Sequence, residues 1–195
     1  MLAFAGLADS SVASAQSPNG FASIIHIPVV VRSGSFASTS FVHNPNGIAA
    51  NVQVTFNGAS STVGAGPLDC SAHSIPAGST ASYDFAALCP LAGGSNFGTL
   101  RLTETSPTNI PIAAYTRVQS PVAGNGFSIE GFPLGGFAND TGTSVVLGLR
   151  RDAAAPGDRS NCFVSSIGEA VTVNVQLFDS ANVQLGTPQV VPLAA

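Results

Sequence analysis

Hydrophobic and polar residues alternate along most of this chain with a period of two. In Ala50-Asn-Val-Gln-Val-Thr-Phe56, the valines and the phenylalanine fall on one side of an extended chain, and the polar residues fall on the other. The run Ile24-Ile-His-Ile-Pro-Val-Val-Val-Arg32 is rich in β-branched residues, which favour strands. Such runs end at turn-forming clusters, of which Pro45-Asn46-Gly47 is the strongest. The pattern predicts an all-β protein.

The strands predicted in the first part of the chain are residues 24–32, 38–44, 50–56, 80–84, 98–104 and 112–118. A Gly/Ser-rich stretch after Phe56 indicates a loop, and residues 85–91 indicate one short helical turn. About seven short strands at this spacing are typical of a β-sandwich. We therefore expect a first sandwich unit over residues 24–120.

An internal repeat indicates a second unit over residues 121–195. Phe41-Val42 recurs as Phe163-Val164, at an offset of 122 residues, and Val52-Gln-Val54 recurs as Val173-Asn-Val175, at an offset of 121. The sequence ends before the later strands of the first unit recur. We expect the second unit to be incomplete, with residues 1–23 as a separate N-terminal segment.

These motifs resemble the immunoglobulin-like repeats of large secreted bacterial proteins. The resemblance is carried by residues 41–56, the corner Ile75-Pro-Ala-Gly-Ser79, the run Gly98-Thr-Leu-Arg-Leu102 and the link from Gly131-Phe-Pro-Leu134 to Leu147-Gly-Leu-Arg150. It implies two tandem immunoglobulin-like β-sandwich units that serve as a stalk, adhesin, filament subunit or accessory module. It supplies no catalytic residue, because a fold of this kind does not specify a function.

The N-terminus and the cysteines indicate an exported protein, at the cell surface or extracellular. Residues 1–8 form a short apolar stretch, and Ala13-Ser-Ala15 matches a signal-peptide cleavage pattern. Cys70 and Cys89 are a candidate disulfide that closes a loop of about 20 residues. Cys162 is then either buried or free to pair between chains.

Composition excludes several classes of function. The chain has a net charge of -4 and six basic residues, all arginines, which are dispersed and form no basic stripe for nucleic acid. No apolar run is long enough to span a membrane. Charged residues make up only 8% of the chain, which suits packing against copies of itself or reflects a GC-rich genome.

The sequence offers no constellation for catalysis or for a metal. A hydrolase would need a base, an acid and a nucleophile together, and no nucleophile elbow accompanies His26, His43 or His73. The loop aspartates lack calcium-binding spacing; they are Asp140, Asp152 and Asp158. We predict a non-enzymatic protein without a metal or cofactor.

Two sets of residues are candidates for interaction. An incomplete sandwich exposes an apolar face, unless the chain is a fragment or packs on itself, and a strand from a neighbouring copy would cover that face. The apolar residues available in the N-terminal segment as a donor are Leu2, Phe4, Leu7, Val12 and Phe21. Tyr83 and Tyr115 could instead stack on a sugar.

The leading prediction is therefore a structural or adhesive subunit that polymerises into a surface filament. Its partners would be copies of itself or neighbouring domains of a larger surface protein. The alternative is a carbohydrate- or protein-binding accessory module of a larger secreted protein.

Overall fold

The computed structural model describes residues 20–58, 67–90, 96–120, 126–133, 164, 166 and 170–193. Most of them lie in antiparallel strands, which confirms the prediction of an all-β protein. The chain forms two compact units, whose described parts are residues 20–133 and 164–193. The assignment to immunoglobulin-like units stays a prediction.

The first unit contains, in its described part, nine strands and one helical turn. These are β1 Ile24–Arg32, β2 Ala37–Asn44, β3 Ala50–Gly58, β4 Pro67–Ile75, β5 Ser79–Asp84, α1 Phe85–Leu88, β6 Asn96–Glu104, β7 Ala113–Gln119, β8 Gly126–Glu130 and β9 Phe132–Pro133. The six predicted strands and the helical turn are confirmed. Strand β4 lies in the stretch where the sequence indicated a loop, and β8 and β9 follow the expected boundary at residue 120.

The nine strands follow the order β4-β3-β6-β1-β2-β7-β8, with β5 paired to β2 and β9 paired to β1. Strands β1 and β2 are joined by the single pair Arg32 and Ala37. The sheet therefore divides at this corner into two layers, β4-β3-β6-β1-β9 and β5-β2-β7-β8. One core is shared by residues of both layers.

The core sits where the alternating apolar positions of the strands meet. Phe56 of β3 is fully buried and packs against Phe85 of α1, with ring centroids 4.9 Å apart. The fully buried aliphatic residues include Ile25, Ile27, Val30, Val42, Val52, Ile75, Leu88, Leu100, Leu102 and Ile112. Burial of a side chain of this size stabilises the fold by about 1.5–3 kcal/mol, which offsets the entropy lost on ordering the strands.

Two buried polar side chains hold the loops at one end of this core. The side-chain amide of Asn44 donates to the carbonyl oxygens of Ile48 and Ile75 at 2.8 and 3.1 Å. The Glu104 carboxylate accepts from the backbone N–H groups of Ser106 and Ile110 at 2.8 and 3.1 Å. Because these groups satisfy backbone atoms that a turn leaves unpaired, they fix the turns between strands.

The described part of the second unit is a hairpin of two antiparallel strands, β10 Val171–Phe178 and β11 Gln184–Leu193. Its turn lies at the predicted Ser180-Ala-Asn182. There the Asp179 carboxylate accepts from the backbone N–H groups of Ala181 and Val183 at 2.8 and 2.9 Å. Asn182 adopts a left-handed backbone with φ of 61°. Asparagine tolerates that conformation better than most residues.

Candidate functional site

The outward side of the layer β5-β2-β7-β8 carries a pair of stacked aromatic rings. Phe41 of β2 lies directly opposite Tyr115 of β7, and their ring centroids are 4.6 Å apart with an interplanar angle of 9°. They point outward because the alternate positions Ser40 and Thr116 are buried and hydrogen-bonded to each other at 2.7 Å. Tyr115 keeps 40% of its surface exposed. Each ring covers one face of the other, so the apolar platform that they present to solvent consists of their edges and outer faces.

A cation and hydroxyl groups adjoin this platform. Arg117 is the next outward residue of β7 and lies between Thr39 of β2 and Ser128 of β8. Its side chain is exposed and makes no ion pair with the described residues. Together with Phe41 and Tyr115 it borders a depression of about 330 Å³, which Gly126, Phe127 and Ser128 complete. We name this surface, defined by Phe41, Tyr115, Arg117 and Ser128, the aromatic face.

Carboxylates mark the two margins of the aromatic face. Glu130 of β8 lies opposite Tyr115 and is exposed. Asp84 of β5 lies on the other side of Thr39 from Arg117, and its carboxylate accepts from the Thr39 hydroxyl at 3.0 Å. The positive charge of Arg117 therefore sits between two negative margins.

The structure does not bring the two predicted stacking tyrosines together. Tyr83 lies opposite the buried Ser40 in β5, and so it points inward, whereas Tyr115 points outward. The ring of Tyr83 packs against the ring of His73 in β4, with centroids 4.5 Å apart. Burial raises the pKa of the Tyr83 hydroxyl above its ordinary value. Tyr83 thus closes the edge between the two layers, while Tyr115 remains on an open surface.

The predicted disulfide between Cys70 and Cys89 is confirmed. Cys70 belongs to β4, an outer strand of one layer, and Cys89 follows α1, which comes directly after β5 of the other layer. The disulfide therefore ties the two layers together at the same edge as the contact between His73 and Tyr83. Disulfides of this kind are typical of oxidising compartments.

The hairpin presents the second candidate surface. One side of β10 carries Val171, Val173, Val175 and Leu177, and the residues paired with them in β11 are Leu193, Val191, Gln189 and Leu185. Val175, Leu177 and Leu185 are exposed by 41–48%. We name this side of the hairpin the apolar hairpin face. Within the described residues, no strand pairs with the outer edges of β10 and β11.

Of the predicted donor residues, only Phe21 lies within the described part of the chain. It is half-buried beside His43 of β2, with ring centroids 6.2 Å apart. The adjacent Ala22 forms a two-way backbone bridge with Ile112. Phe21 is therefore held in the first unit of its own chain. Leu2, Phe4, Leu7 and Val12 lie outside the described residues, as do Cys162 and the loop aspartates.

The three histidines lie on three different strands and have different surroundings. His43 bonds the Thr80 hydroxyl at 2.9 Å, and His73 packs on Tyr83. His26 of β1 is buried, and burial, together with the positive charge of Arg101 in the adjacent β6, lowers its pKa to about 4. In the part of the chain that the structure describes, no three metal-binding side chains cluster. No helix among the described residues is long and apolar enough to cross a membrane.

Comparisons with known proteins name no family for this chain. No protein-family model and no curated protein matches the sequence. Among solved structures, this chain is similar to the crystal structure of Thermotoga maritima 1070. The similar region covers 60% of this chain and 97% of the other. The identity is 11% and the TM-score is 0.47.

Sequence reasoning missed Phe41 and Arg117 as site residues. In the run Ser38-Thr-Ser-Phe-Val42, alternation together with hydrophobicity favours Phe41 as a core residue. The structure instead buries Ser38 and Ser40, and Phe41 faces outward. The register of β2 and β7, which places Phe41 beside Tyr115, depends on contacts between residues more than 70 positions apart and has no local signal.

Proposed function

We propose that this protein is a non-catalytic extracellular structural or adhesive subunit, which polymerises when one copy donates a strand to the hairpin β10–β11 of the next. The observation that carries the proposal is the apolar hairpin face. Valine and leucine side chains that alternation would normally place in a core are 41–48% exposed there. An isolated two-stranded hairpin is marginal in water, and a further strand or a covering surface stabilises it.

Both the edges and the apolar face of the hairpin favour a strand as the partner. An edge strand presents unpaired N–H and C=O groups, which a further strand satisfies. A donated strand with apolar residues at alternate positions would also cover Val175 and Leu185. This is the mode of recognition known as strand addition.

The proposed donor is the N-terminal segment of another copy. Its sequence places Leu2 and Phe4 at alternate positions, with Leu7 and Val12 further along, within a run of small residues. Phe21 packs beside His43 in its own chain, so the proposed donor is restricted to the residues before it. Donation between copies is head-to-tail, so it forms open filaments unless the rotation between neighbours closes a ring.

Two features support an extracellular setting. The disulfide between Cys70 and Cys89 requires oxidising conditions to persist. The N-terminal sequence carries the cleavage-like Ala13-Ser-Ala15. If cleavage follows Ala15, Leu2 to Val12 are absent from the mature chain. The donor role therefore requires the uncleaved N-terminus.

The test is the size of the intact chain in solution, measured by light scattering over a range of concentrations and by electron microscopy. We expect assemblies that grow with concentration. Val175→Ser on the apolar hairpin face should reduce them strongly. Val190→Ser is the matched control, since Val190 is 63% exposed on the opposite side of the hairpin. A monodisperse monomer at all concentrations, or equal effects of both substitutions, would contradict the proposal.

A further inference from the structure

The aromatic face combines features that a binding surface needs but that the stability of the fold does not require. Tyr115 and Arg117 are exposed on β7, whereas the residues between and beside them are buried. The side chain of Arg117 makes no ion pair with the described residues, so the structure assigns it no stabilising partner.

We propose that the aromatic face binds an acidic saccharide, with a sugar ring on the Phe41 and Tyr115 platform and a sugar carboxylate on Arg117. This site is independent of the proposed self-association, because it lies in the first unit and uses none of the hairpin residues.

The apolar part of the site matches one side of a sugar ring. A pyranose presents C–H groups on its faces, and aromatic side chains offer a flat apolar surface to them, with a polar hydroxyl at the tip in the case of tyrosine. The stacking of Phe41 on Tyr115 holds both rings in one orientation, so little side-chain entropy is lost on binding. The hydroxyl of Ser128 is placed to bond a sugar hydroxyl, and the oxygen of the Thr39 hydroxyl, whose proton is donated to Asp84, can still accept from one.

The charged part of the site selects an acid. The planar guanidinium of arginine bonds a carboxylate through two parallel N–H groups, which makes it the preferred partner of such groups. Tyr115 and Arg117 lie two residues apart on one strand, a spacing of roughly 7 Å, which one uronic acid residue can span with its ring and its carboxylate. Glu130 beside Tyr115 repels a carboxylate at that end, so the ligand would be oriented with its acid toward Arg117.

The shape of the site favours a chain ligand over a small enclosed molecule. Pockets that enclose small molecules bury most of the ligand surface. The depression of about 330 Å³ lies instead on an open sheet surface between β2 and β8. An oligosaccharide can lie across such a surface, with one residue on the platform and its neighbours on the polar margins.

The experiment uses the full chain and tetrasaccharides of galacturonic, mannuronic and glucuronic acid, each compared with its methyl ester. Calorimetry measures the affinity, and chemical shifts of backbone amides locate the site. We expect at least one acid to bind, with its ester weaker by about tenfold or more and with an affinity that falls as salt rises. Arg117→Gln should reduce the affinity for the acid to that of the ester, and Tyr115→Ser should weaken both ligands.

Matched controls separate this site from general surface effects. Arg32→Gln removes the same charge from an exposed position at the end of β1, and Phe36→Ser removes a ring that is 37% exposed in the following turn. Both should change the affinity less than twofold. Absence of binding to all three acids would overturn the proposal. An Arg117→Gln variant that binds the acid as tightly as the unaltered chain, or an equal effect of Arg32→Gln, would do the same.

Discussion

Two hairpins of this chain have related sequences and different surroundings. The first is β3–β4, and the second is β10–β11, where Val173-Asn-Val175 repeats the pattern of Val52-Gln-Val54. Val54 is 1% exposed, because β3 also pairs with β6 and its apolar side faces the core. Val175 is 41% exposed. The same alternation thus gives a core strand in one place and an open surface in the other.

The difference shows what alternation does and does not determine. Period-two patterning specifies that a segment is a strand and that one side is apolar. Whether that side is buried depends on a neighbouring strand and a second layer. Strand β3 has both, and the described part of the second unit supplies neither to β10. The following predictions test this contrast, from the largest effect to the smallest.

The largest contrast lies between Phe56, two residues before the end of β3, and Phe178 at the end of β10. Phe56→Ala should reduce the free energy of unfolding by about 3–5 kcal/mol, because it leaves a cavity beside Phe85. Phe178→Ala should cost less than about 1 kcal/mol, because that ring is exposed. Urea unfolding measures both, followed by circular dichroism and by tyrosine fluorescence. Both tyrosines belong to the first unit, so fluorescence reports that unit alone.

A cost at Phe178 as large as that at Phe56 would contradict the contrast. It would mean that the hairpin is covered in solution. Dilute protein is needed for this measurement, since association through the apolar hairpin face would stabilise β10 in a concentration-dependent way.

The next contrast concerns the disulfide, which only the first of the two hairpins is shown to have. The first hairpin is anchored through Cys70 in β4 to Cys89, at a sequence separation of 19, and no disulfide joins the described residues of the second hairpin. Replacing both cysteines with alanine should cost about 3 kcal/mol, because the unfolded chain regains the entropy of the closed loop. The same loss should follow when a reductant is added to the unaltered chain. A reductant that further destabilises the double variant would show that another disulfide contributes.

The strands of the first unit could be predicted from sequence because they are rich in β-branched residues and end at strong turns. Strand β4 could not, because Pro67-Leu-Asp-Cys-Ser-Ala-His-Ser-Ile75 has a single β-branched residue, at its end. Its pairing with β3 is what makes it a strand. Propensity is a weak guide for such outer strands, since their stability comes from the partner.

The candidate site was less predictable than the fold. Tyr115 could be named from sequence as an amphipathic aromatic residue. The same reasoning also named Tyr83, whose side chain points inward. Which side of β2 faces the core was also ambiguous, because serines occupy its buried positions. The hydrogen bond between Ser40 and Thr116 satisfies polar groups on the buried side of β2, and it forms only after β2 and β7 have paired.

A smaller effect on the stability of the first unit is expected when the pH is lowered. His26 lies in β1 at the centre of the first unit, and its pKa is lowered from 6.5 to about 4 by burial and by Arg101. Between pH 6.5 and 4 the unfolded state binds the proton more tightly than the folded state, so stability should fall as the pH falls through this window. The stability that depends on a neutral His26 should be fully present above pH 6.5.

Unfolding of the first unit in urea at a series of pH values tests this prediction. His26→Leu should flatten the pH dependence in this window, whatever its effect on absolute stability. A slope that is unchanged in the variant would show that other groups cause the acid sensitivity. The hairpin, whose described strands contain no histidine, should not lose protection of its amides through the same window.

The smallest effect lies in the turn of the second hairpin. Asp179→Ala removes the acceptor for the N–H groups of Ala181 and Val183 and should cost about 1 kcal/mol, because these exposed groups can bond water instead. Asp179→Asn keeps an oxygen in the same place and should restore most of the loss. Hydrogen exchange measures the effect at the β10–β11 amides, with the β3–β4 amides as the internal reference. Because the described residues supply no second layer to the hairpin, we expect the turn to contribute a large share of its stability. Unchanged exchange in the alanine variant would therefore show that contacts on the apolar hairpin face, and not the turn, hold the two strands together.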